Sequence, residues 1–287
     1  MKIHSRLCDY ITLTKPEVNL LVVMTTAASY NLGCPGPLHV AGLINTIMGT
    51  LLVASGTATL NQWMERSWDA QMRRTANRPL PGCRVGPKEA LLLGVSLSLA
   101  GGAYLAAVVN LMAAALAIST LLSYLLIYTP LKRRTPLSTL LGALPGAMPI
   151  LIGWAGASSK LDGQVWLLFA LLFLWQFPHF LAIALMYRED YARAGYKMLP
   201  DFDTDGRFTR GEILVLSVVL VIVTLFFGIS SGPISTVILA LAGATFLWPV
   251  FKLALSARRK MAMRVVHASI IYLPLVLAVI TQTNTHK

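Results

Sequence analysis

The chain has 287 residues and a formal net charge of +12, and 56% of its residues are apolar whereas only 13% are charged. Soluble globular domains have about half apolar and about a quarter charged residues, so this composition excludes an ordinary soluble protein and indicates a polytopic membrane protein. A nucleic-acid-binding domain would gather its basic residues on one folded surface. Here they lie in short segments between apolar runs, so no nucleic-acid partner is expected.

Apolar segments long enough to cross a bilayer recur along the whole chain. A transmembrane helix needs about 20 mostly apolar residues, because every backbone group must be hydrogen-bonded within the segment. The sequence therefore predicts an all-α bundle of nine transmembrane helices that forms a single domain, 1–287. Val109 and Asn110 alone separate the third and fourth spans, which predicts a tight helical hairpin. The predicted spans are 17–34, 38–60, 89–108, 111–129, 137–157, 164–186, 212–230, 233–251 and 266–283.

The basic residues predict the orientation of these spans. Of the 24 Lys and Arg residues, all except Lys160 and Lys287 fall in alternate segments on the side of the N-terminus. Loops rich in Lys and Arg stay on the cytoplasmic side. We therefore expect a multi-pass protein of the bacterial inner (plasma) membrane, with a cytoplasmic N-terminus and the C-terminus on the outer side. This asymmetry accounts for most of the positive charge.

The segment NQWMERSWDAQMRRTANRP follows the second predicted span and carries a polar series. Asn61, Glu65 and Asp69 recur every four residues and Arg73 continues the series, so on a helix they share one face. Nothing up to Asn77 breaks a helix, and the span is expected to continue beyond the bilayer. Two carboxylates and an amide a turn apart suit Mg²⁺ shared with a substrate phosphate. Guanidinium groups that match phosphate oxygens follow at Arg73, Arg74 and Arg78.

Two interpretations of this series stay open on the residues alone. Acidic and basic residues at this spacing also form ordinary ion pairs on a solvated helix end, and arginines serve the positive-inside bias. That interpretation is sufficient for any single residue. The constant spacing of the whole set favours a metal and phosphate site.

A second acidic region follows the sixth predicted span, on the same side of the membrane. Glu189 and Asp190 lie where the helix should leave the bilayer, and Lys197 follows. The next segment, DFDTDG, resembles the start of a calcium loop, but Glu212 at its twelfth position opens an apolar span. A solvated turn is expected there instead.

Further polar residues lie within or beside the spans. Gln176 and His179 fall inside the sixth span, where polar groups usually face the bundle interior and indicate a site. A histidine that simply hydrogen-bonds a neighbouring helix explains His179 equally well. Lys132, between the fourth and fifth spans, is another phosphate candidate. Acid-bearing helix ends with cations nearby suit a Mg²⁺-bound diphosphate whose lipid tail runs among the helices.

Five motifs identify a family at this point. N-x-x-x-E-x-x-x-D with RTANRPLP, then YTPLKRRT, GALPGAMPILIGW, WQFPHF and YREDYARAGYKMLP resemble the haem O synthases. These are protohaem farnesyltransferases within the UbiA-type intramembrane prenyltransferases. LTKP near the N-terminus fits as well, and the match runs from about residue 12 to residue 210.

The resemblance implies a central cavity within the nine helices and transfer of a farnesyl group from farnesyl diphosphate to a vinyl group of haem b. Water addition completes haem O, so haem b is a substrate. Mg²⁺, as one or two ions, and basic residues neutralise the leaving diphosphate, while a dry cavity protects the allylic cation. The implied partners are both substrates and membrane lipid; contact with haem A synthase or a terminal oxidase is not readable from the sequence.

Site residues follow from the resemblance position by position. It assigns catalysis and Mg²⁺ binding to Asn61, Glu65 and Asp69, and it places Glu189 and Asp190 in a second metal-binding region, with Asp190 also catalytic. Diphosphate contacts are expected at Arg73, Arg74, Arg78, Lys132 and Lys197. A haem contact is expected at His179.

The sequence departs from the wider superfamily in its second acidic motif. Tyr187 and Tyr191 occupy the aspartate positions of D-x-x-x-D, which favours one metal site at the first motif. Ser138 stands where asparagine is expected. The alternative functions are a prenyltransferase for a quinone precursor or another tetrapyrrole, and a membrane transporter, although the paired repeats typical of transporters are not evident.

Overall fold

The computed structural model of the chain describes residues 6–158, 160–256 and 258–284, so Lys287 lies outside the described residues. Regular structure within these ranges is helical throughout, which confirms the all-α class. The α-helices are α1 Arg6–Leu13, α2 Pro16–Gly33, α3 Val40–Asp69, α4 Pro87–Tyr104, α5 Leu111–Leu122, α6 Thr129–Leu131, α7 Ser138–Ala157, α8 Gly163–Met186, α9 Arg188–Arg193, α10 Leu199–Phe202, α11 Arg207–Ser231, α12 Pro233–Leu255 and α13 Arg259–Asn284. Leu105–Val109 and Ser123–Tyr128 are π-helical and extend α4 and α5.

Eight helices of the described ranges are long and apolar enough to cross a membrane, and they match eight of the nine predicted spans. The other predicted span, 17–34, coincides with α2, which does not meet this criterion of length and composition. α2 has 18 residues and carries Glu17, Asn19 and Asn31, which lower its hydropathy. Asn19 is buried and donates hydrogen bonds to the Thr14 carbonyl oxygen and to Ser55 Oγ, so its polarity is satisfied within the protein.

The predicted hairpin between the third and fourth spans is confirmed. The π-helical turn ends at Val109, and α5 begins at Leu111. Asn110 caps α5, because its Oδ1 accepts from the backbone N–H of Ala113 at 2.8 Å while its Nδ2 donates to the Ala155 carbonyl oxygen at 2.7 Å. The single connecting residue is thereby fixed at both ends of its side chain.

The chain divides into two compact units. The first comprises Met1–Arg134, Met148–Leu161 and Glu189–Tyr196, and the second comprises Thr135–Ala147, Asp162–Arg188 and Lys197–Lys287. α7 contributes its first half to the second unit and its second half to the first. The long acidic segment after α8 is divided as well, so that Asp190 belongs to the first unit.

Small residues bring helices of the first unit close together. A Cβ on Gly56 of α3 would lie 2.7 Å from the Gly94 carbonyl oxygen and 2.8 Å from the Ser98 amide of α4. A Cβ on Gly101 would lie 2.7 Å from the Val53 amide. Glycine at both positions therefore permits backbone contact between α3 and α4, as is common in membrane helix pairs.

Polar contacts between helices hold the second unit together. Trp175 of α8 donates its indole N–H to the Ser269 carbonyl oxygen of α13 at 2.8 Å. The Tyr272 hydroxyl of α13 donates to Thr224 Oγ1 of α11 at 2.7 Å. Both bonds are buried, where an unpaired polar group would be costly. They fix α13 against α8 and α11.

α3 continues beyond the predicted span 38–60, as expected, and carries Asn61, Glu65 and Asp69. It ends at Asp69, and turns follow it to the start of α4, so Arg73, the fourth member of the series, lies beyond the helix. Thr75 Oγ1 donates to the Asp69 carbonyl oxygen at 2.8 Å, and the Arg78 side chain reaches back to the Asp69 carboxylate. These local bonds replace the next helical turn and fold the arginine segment back.

Candidate active site

The last three turns of α3 carry the predicted series on one buried face. Asn61, Glu65 and Asp69 have relative exposures of 0%, 4% and 1%. The four-residue spacing therefore does place these side chains along one line of the helix. Such burial is unusual for acids on a solvated helix end and requires partners for both charges. Each of the three side chains has a basic partner.

Glu65 is paired with a lysine from the connection after α6. Lys132 Nζ lies 2.8 Å from Glu65 Oε1, and both side chains are buried. The ammonium group also lies over the rings of Tyr128 and Tyr124, at 4.5 Å and 6.0 Å from their centroids. Burial lowers the pKa of Lys132, but the Glu65 carboxylate and the tyrosine oxygens together raise it by more. The pKa of Lys132 therefore lies well above its usual value. The pairing with Glu65 therefore favours the charged form of Lys132.

Asp69 is paired with an arginine of the turn that follows it. Arg78 Nη1 lies 2.8 Å from Asp69 Oδ2, and the Asp69 side chain is almost fully buried. The bond closes the turn between Asp69 and Arg78, which brings one guanidinium of RTANRPLP into the cluster. Arg78 therefore lies against the acidic face, and its predicted contact with diphosphate stays a prediction.

Asn61 is bonded to a lysine that the site predictions did not include. Lys15 Nζ donates to Asn61 Oδ1 at 2.8 Å, while Asn61 Nδ2 donates to Thr129 Oγ1 at 3.2 Å. The amide oxygen is therefore turned toward Lys15, which has φ 52° at the start of α2. Burial and the nearby Arg78 guanidinium lower the pKa of Lys15 to about 7. Lys15 belongs to the LTKP motif, but no spacing rule within the sequence relates it to Asn61.

A tyrosine of the second acidic segment also lies beside Glu65. Tyr196 is 3% exposed, and burial followed by the negative charge of Glu65 raises the pKa of its hydroxyl well above the usual range. Tyr196 is not among the predicted site residues, because it is neither acidic nor in the expected register of D-x-x-x-D. It adds a neutral hydroxyl to the cluster formed by Asn61, Glu65, Asp69 and their three basic partners.

The two predicted acids of the second region have different environments. Asp190 is buried; its Oδ2 accepts from the Arg74 backbone N–H at 3.4 Å and its Oδ1 from Arg193 at 3.3 Å. Arg74 Nη2 also donates to the Tyr191 hydroxyl at 3.1 Å. Asp190 thus contacts the turn after α3. Glu189 is exposed on α9, and within the described ranges no hydrogen bond or ion pair joins it to the cluster.

The other predicted diphosphate residues lie at the surface. Arg73, Arg74 and Lys197 are exposed, in contrast to buried Lys132. Arg133 lies next to Lys132, and its guanidinium lies 4.7 Å from the centroid of the Trp68 ring. Within the first unit, the cations bonded to α3 are therefore buried or half-buried, whereas Arg73 and Arg74 lie at the surface.

The donor set of the cluster fits a hard divalent cation. Asn61, Glu65 and Asp69 supply one amide and two carboxylates, all oxygen ligands of the kind Mg²⁺ prefers. Within the described residues no three His, Cys, Asp or Glu side chains group as a metal site. Two carboxylates and one amide would leave the other ligand positions of Mg²⁺ to phosphate oxygens and water.

His179 lies in the second unit, on α8. Its Nδ1 lies 2.8 Å from Ser269 Oγ, and its ring stacks on Trp175 with centroids 4.9 Å apart. Gln176 is buried and donates to the Ala143 and Leu172 carbonyl oxygens. Gln176 therefore joins α8 to α7. His179 has a polar partner on α13, as a packing histidine would, and its role as a haem contact stays a prediction.

Comparison with known proteins places this architecture in one family. The sequence profile of the UbiA prenyltransferase family matches residues 22–272. A relative from Solibacter usitatus (strain Ellin6076), named protoheme IX farnesyltransferase, is 47% identical over 279 residues, which cover 93% of this chain and 96% of the relative.

Solved structures of low sequence identity share the fold. A structure described as a digeranylgeranylglyceryl phosphate synthase in membranes superposes with a TM-score of 0.78 at 17% identity, covering 98% of this chain and 99% of the other. A UbiA homologue from Archaeoglobus fulgidus, bound to GPP and Mg²⁺, gives a TM-score of 0.64 at 16% identity, covering 95% and 99%. The chain belongs to the UbiA prenyltransferase family of integral membrane enzymes.

Proposed function

We propose that this prenyltransferase moves the farnesyl group of farnesyl diphosphate to a vinyl group of haem b and, with water addition, forms haem O. One observation supports the binding of farnesyl diphosphate. The buried side chains of Asn61, Glu65 and Asp69 offer oxygen atoms, and each is bonded to its own basic residue. The acceptor half is supported by the relatives, which are named protoheme IX farnesyltransferase at 38–47% identity.

Asn61, Glu65 and Asp69 are the residues that would hold Mg²⁺. The metal, when bound, neutralises part of the negative charge on the departing diphosphate. Asp190 is assigned to the same end of the site as a support for the turn that carries Arg74. One metal ion at the first motif suits the two buried carboxylates; Glu189, which is exposed, is the weakest candidate of the predicted ligands.

Basic residues of the cluster supply the remaining stabilisation. Lys132, Lys15 and Arg78 hold hydrogen-bond donors that can turn from their oxygen partners on α3 to phosphate oxygens. Charge-assisted bonds of this kind stabilise the charge that develops as the leaving group departs. Arg73 and Arg74, exposed on the same turn segment, and Lys197 are proposed as outer contacts that attract the anionic donor from solution.

The reaction balances without a redox step. The allylic carbon–oxygen bond of farnesyl diphosphate breaks and its electron pair leaves with diphosphate. The terminal vinyl carbon of haem b then bonds to the farnesyl carbon, and water adds to the cation formed next to the ring and releases a proton. Aromatic rings of Tyr124 and Tyr128, which surround Lys132, help to exclude water from the donor until that bond forms.

The membrane orientation is proposed from charge alone. Alternate segments rich in Lys and Arg favour a cytoplasmic N-terminus and an outer C-terminus in a bacterial inner membrane. Diphosphate donors are made in the cytoplasm, so a cytoplasmic cluster would face its substrate. Reporter fusions at Asp205 and at Lys160 should report opposite sides of the membrane, and the same side for both would contradict the orientation.

The decisive experiment supplies purified protein in lipid with haem b, farnesyl diphosphate and Mg²⁺, and detects haem O by mass spectrometry. Asp69→Asn should lower the rate at least about 100-fold, because it removes a carboxylate that would hold Mg²⁺ beside the leaving diphosphate. The exposed Asp205→Asn is the matched control and should keep full rate. Absence of haem O from the wild-type protein would refute the proposal, and product from a quinone precursor instead would support that alternative acceptor.

A further inference from the structure

A hydrogen-bond chain in the second unit fixes the ring of His179. Ser269 Oγ lies 2.7 Å from the Val266 carbonyl oxygen and 2.8 Å from His179 Nδ1. A carbonyl oxygen can only accept, so the single hydroxyl proton of Ser269 is directed to Val266. The hydroxyl oxygen is then the acceptor for His179, and Nδ1 carries the ring proton.

This arrangement leaves Nε2 of His179 with a free lone pair. Within the described ranges Nε2 has no hydrogen-bond partner. It is not among the fully buried polar atoms that lack a partner, so part of its surface is accessible. The ring itself is held by stacking on Trp175, whose indole N–H is bonded to the Ser269 carbonyl oxygen. The same serine therefore positions both rings, one through its side chain and one through its backbone.

A histidine that donates Nδ1–H to an oxygen acceptor and presents Nε2 is the arrangement found in metal-ligating histidines. The acceptor bond selects the tautomer and increases the basicity of the other nitrogen. A histidine needed only for packing between α8 and α13 would have no use for an open Nε2. The iron of a haem is the metal that the proposed acceptor brings to this protein.

A cationic side chain, Arg259, lies where the end of α8 meets the start of α13. Arg259, the first residue of α13, donates its Nε to the carbonyl oxygen of Met186 at the end of α8, at 3.2 Å. Its guanidinium lies 5.7 Å from the centroid of the Tyr187 ring and is exposed. Met186 follows His179 by seven positions, which is about 10.5 Å along a helix. A haem has its iron at the centre and its two carboxylates at one edge, which suits an imidazole and a guanidinium so separated.

We propose that His179 binds the iron of the haem acceptor through Nε2, that Ser269 is the positioning residue that fixes this tautomer, and that Arg259 receives a haem carboxylate. This inference rests on haem b being the acceptor, as proposed above. It defines an acceptor surface along α8 and α13 of the second unit.

The test is haem binding to the purified protein in lipid nanodiscs, followed by absorption and electron paramagnetic resonance spectra of ferric and dithionite-reduced haem b. The wild type should show an imidazole-ligated spectrum. His179→Phe keeps an aromatic ring beside Trp175 but removes both nitrogens, and it should lose this spectrum and bind haem at least about tenfold more weakly. Added imidazole should restore the spectrum. His267→Phe, at an exposed histidine of α13, is the matched control and should leave the spectrum unchanged.

Second variants keep the outcome clear if His179→Phe folds poorly. Ser269→Ala should weaken haem binding by roughly 10-fold and shift the reduced spectrum, because Nδ1 loses its acceptor. Arg259→Gln should weaken binding of haem b but not of its dimethyl ester. Stabilisation by farnesyl diphosphate with Mg²⁺ reports folding in each variant.

The two proposals fail in different ways. An unchanged haem spectrum in His179→Phe, in protein that still forms haem O, would overturn iron ligation by His179 and leave the proposed function intact. Wild-type protein that binds haem through His179 but forms no haem O would overturn the proposed function and leave the ligation intact. Wild-type protein that binds no haem would overturn both.

Discussion

Lys132 and Glu65 form a buried ion pair, 2.8 Å from Nζ to Oε1, between segments 67 residues apart in the chain. Lys132→Met should lower the free energy of unfolding by about 3–5 kcal/mol, because Glu65 would be left as an unpaired buried charge. Replacing both residues by methionine should restore much of this stability without restoring farnesyl transfer. Thermal unfolding in detergent and the haem O assay separate the two effects, and a single Lys132→Met variant that unfolds like the wild type would contradict the pairing.

Lys15 should contribute to donor binding although no spacing rule selects it. Lys15→Met removes the ammonium group that is bonded to Asn61, and we expect the KM for farnesyl diphosphate to rise about 10- to 100-fold, the loss expected for one charge-assisted bond. Lys88→Met, at an exposed lysine of α4, is the control and should leave KM within twofold of wild type, on the order of the small effects of surface charges. Equal KM values in the two variants would exclude Lys15 from the donor site.

Asp190 and Glu189 are adjacent acids with opposite exposure, and their variants should differ. Asp190→Ala removes the acceptor for the Arg74 backbone N–H and for Arg193, so the rate of farnesyl transfer should fall by about 10-fold or more, as for other positioning contacts. Glu189→Ala should change it by less than about twofold, since substitutions at solvent-exposed positions have small effects. Steady-state rates at saturating Mg²⁺ test this contrast. A larger loss in Glu189→Ala would instead support the metal role predicted from the sequence.

Gly153 lies in the motif GALPGAMPILIGW, where α7 meets α2. A Cβ at this position would overlap the Thr26 carbonyl oxygen and lie 3.1 Å from its Cα, so Gly153→Ala forces two backbones apart. We expect a loss of about 1–3 kcal/mol, measured as a lower Tm. Gly211→Ala in α11 has nothing within 4 Å of its Cβ and should gain up to about 1 kcal/mol. Equal Tm values would show that the α2–α7 contact is looser than described.

Asp203 of DFDTDG receives the backbone N–H of Thr209, the third residue of α11, at 2.7 Å. Burial raises the pKa of Asp203, but the hydrogen bonds from Thr209 lower it more, and it lies below its ordinary value of 3.8. The carboxylate therefore stabilises the folded state above about pH 4. This stabilisation is lost as the pH falls through the lower pKa of the folded protein.

Asp203→Ala should accordingly lower the free energy of unfolding by about 1 kcal/mol at pH 7, which is typical of a side chain that accepts a backbone N–H from the first turn of a helix. The difference from wild type should narrow as the pH falls below the ordinary pKa. Tm values at pH 7 and in acid measure it, with the exposed Asp205→Ala as control. A difference that grows in acid would contradict the assignment, and Asp203 would then serve another role.

Sequence patterns predicted those parts of the molecule that depend on local periodicity. Hydropathy located eight spans, and it also located a helix at the remaining predicted span, 17–34. The four-residue spacing placed Asn61, Glu65 and Asp69 on one face. The end of α3 could not be predicted, because bonds from Thr75 and Arg78 to Asp69 decide it.

The basic partners of the acidic face divide in the same way. Arg78 follows the series within its own motif, and Lys132 stands out as a cation beside a span. Lys15 meets Asn61 across 46 residues, and Tyr196 reaches Glu65 from a later segment. Such contacts depend on how helices pack, and no spacing within a single sequence encodes them.

The pairing of each donor-site cation with an oxygen of α3 has a consequence for turnover. Diphosphate that has lost its farnesyl group carries more negative charge than farnesyl diphosphate. A cluster of basic residues without acidic or amide partners of its own would bind this product tightly. Glu65, Asp69 and Asn61 compete with it for Lys132, Arg78 and Lys15. When these basic side chains return to their partners on α3, they bind the diphosphate product less tightly. The contacts of the resting protein therefore favour product release and a new catalytic cycle.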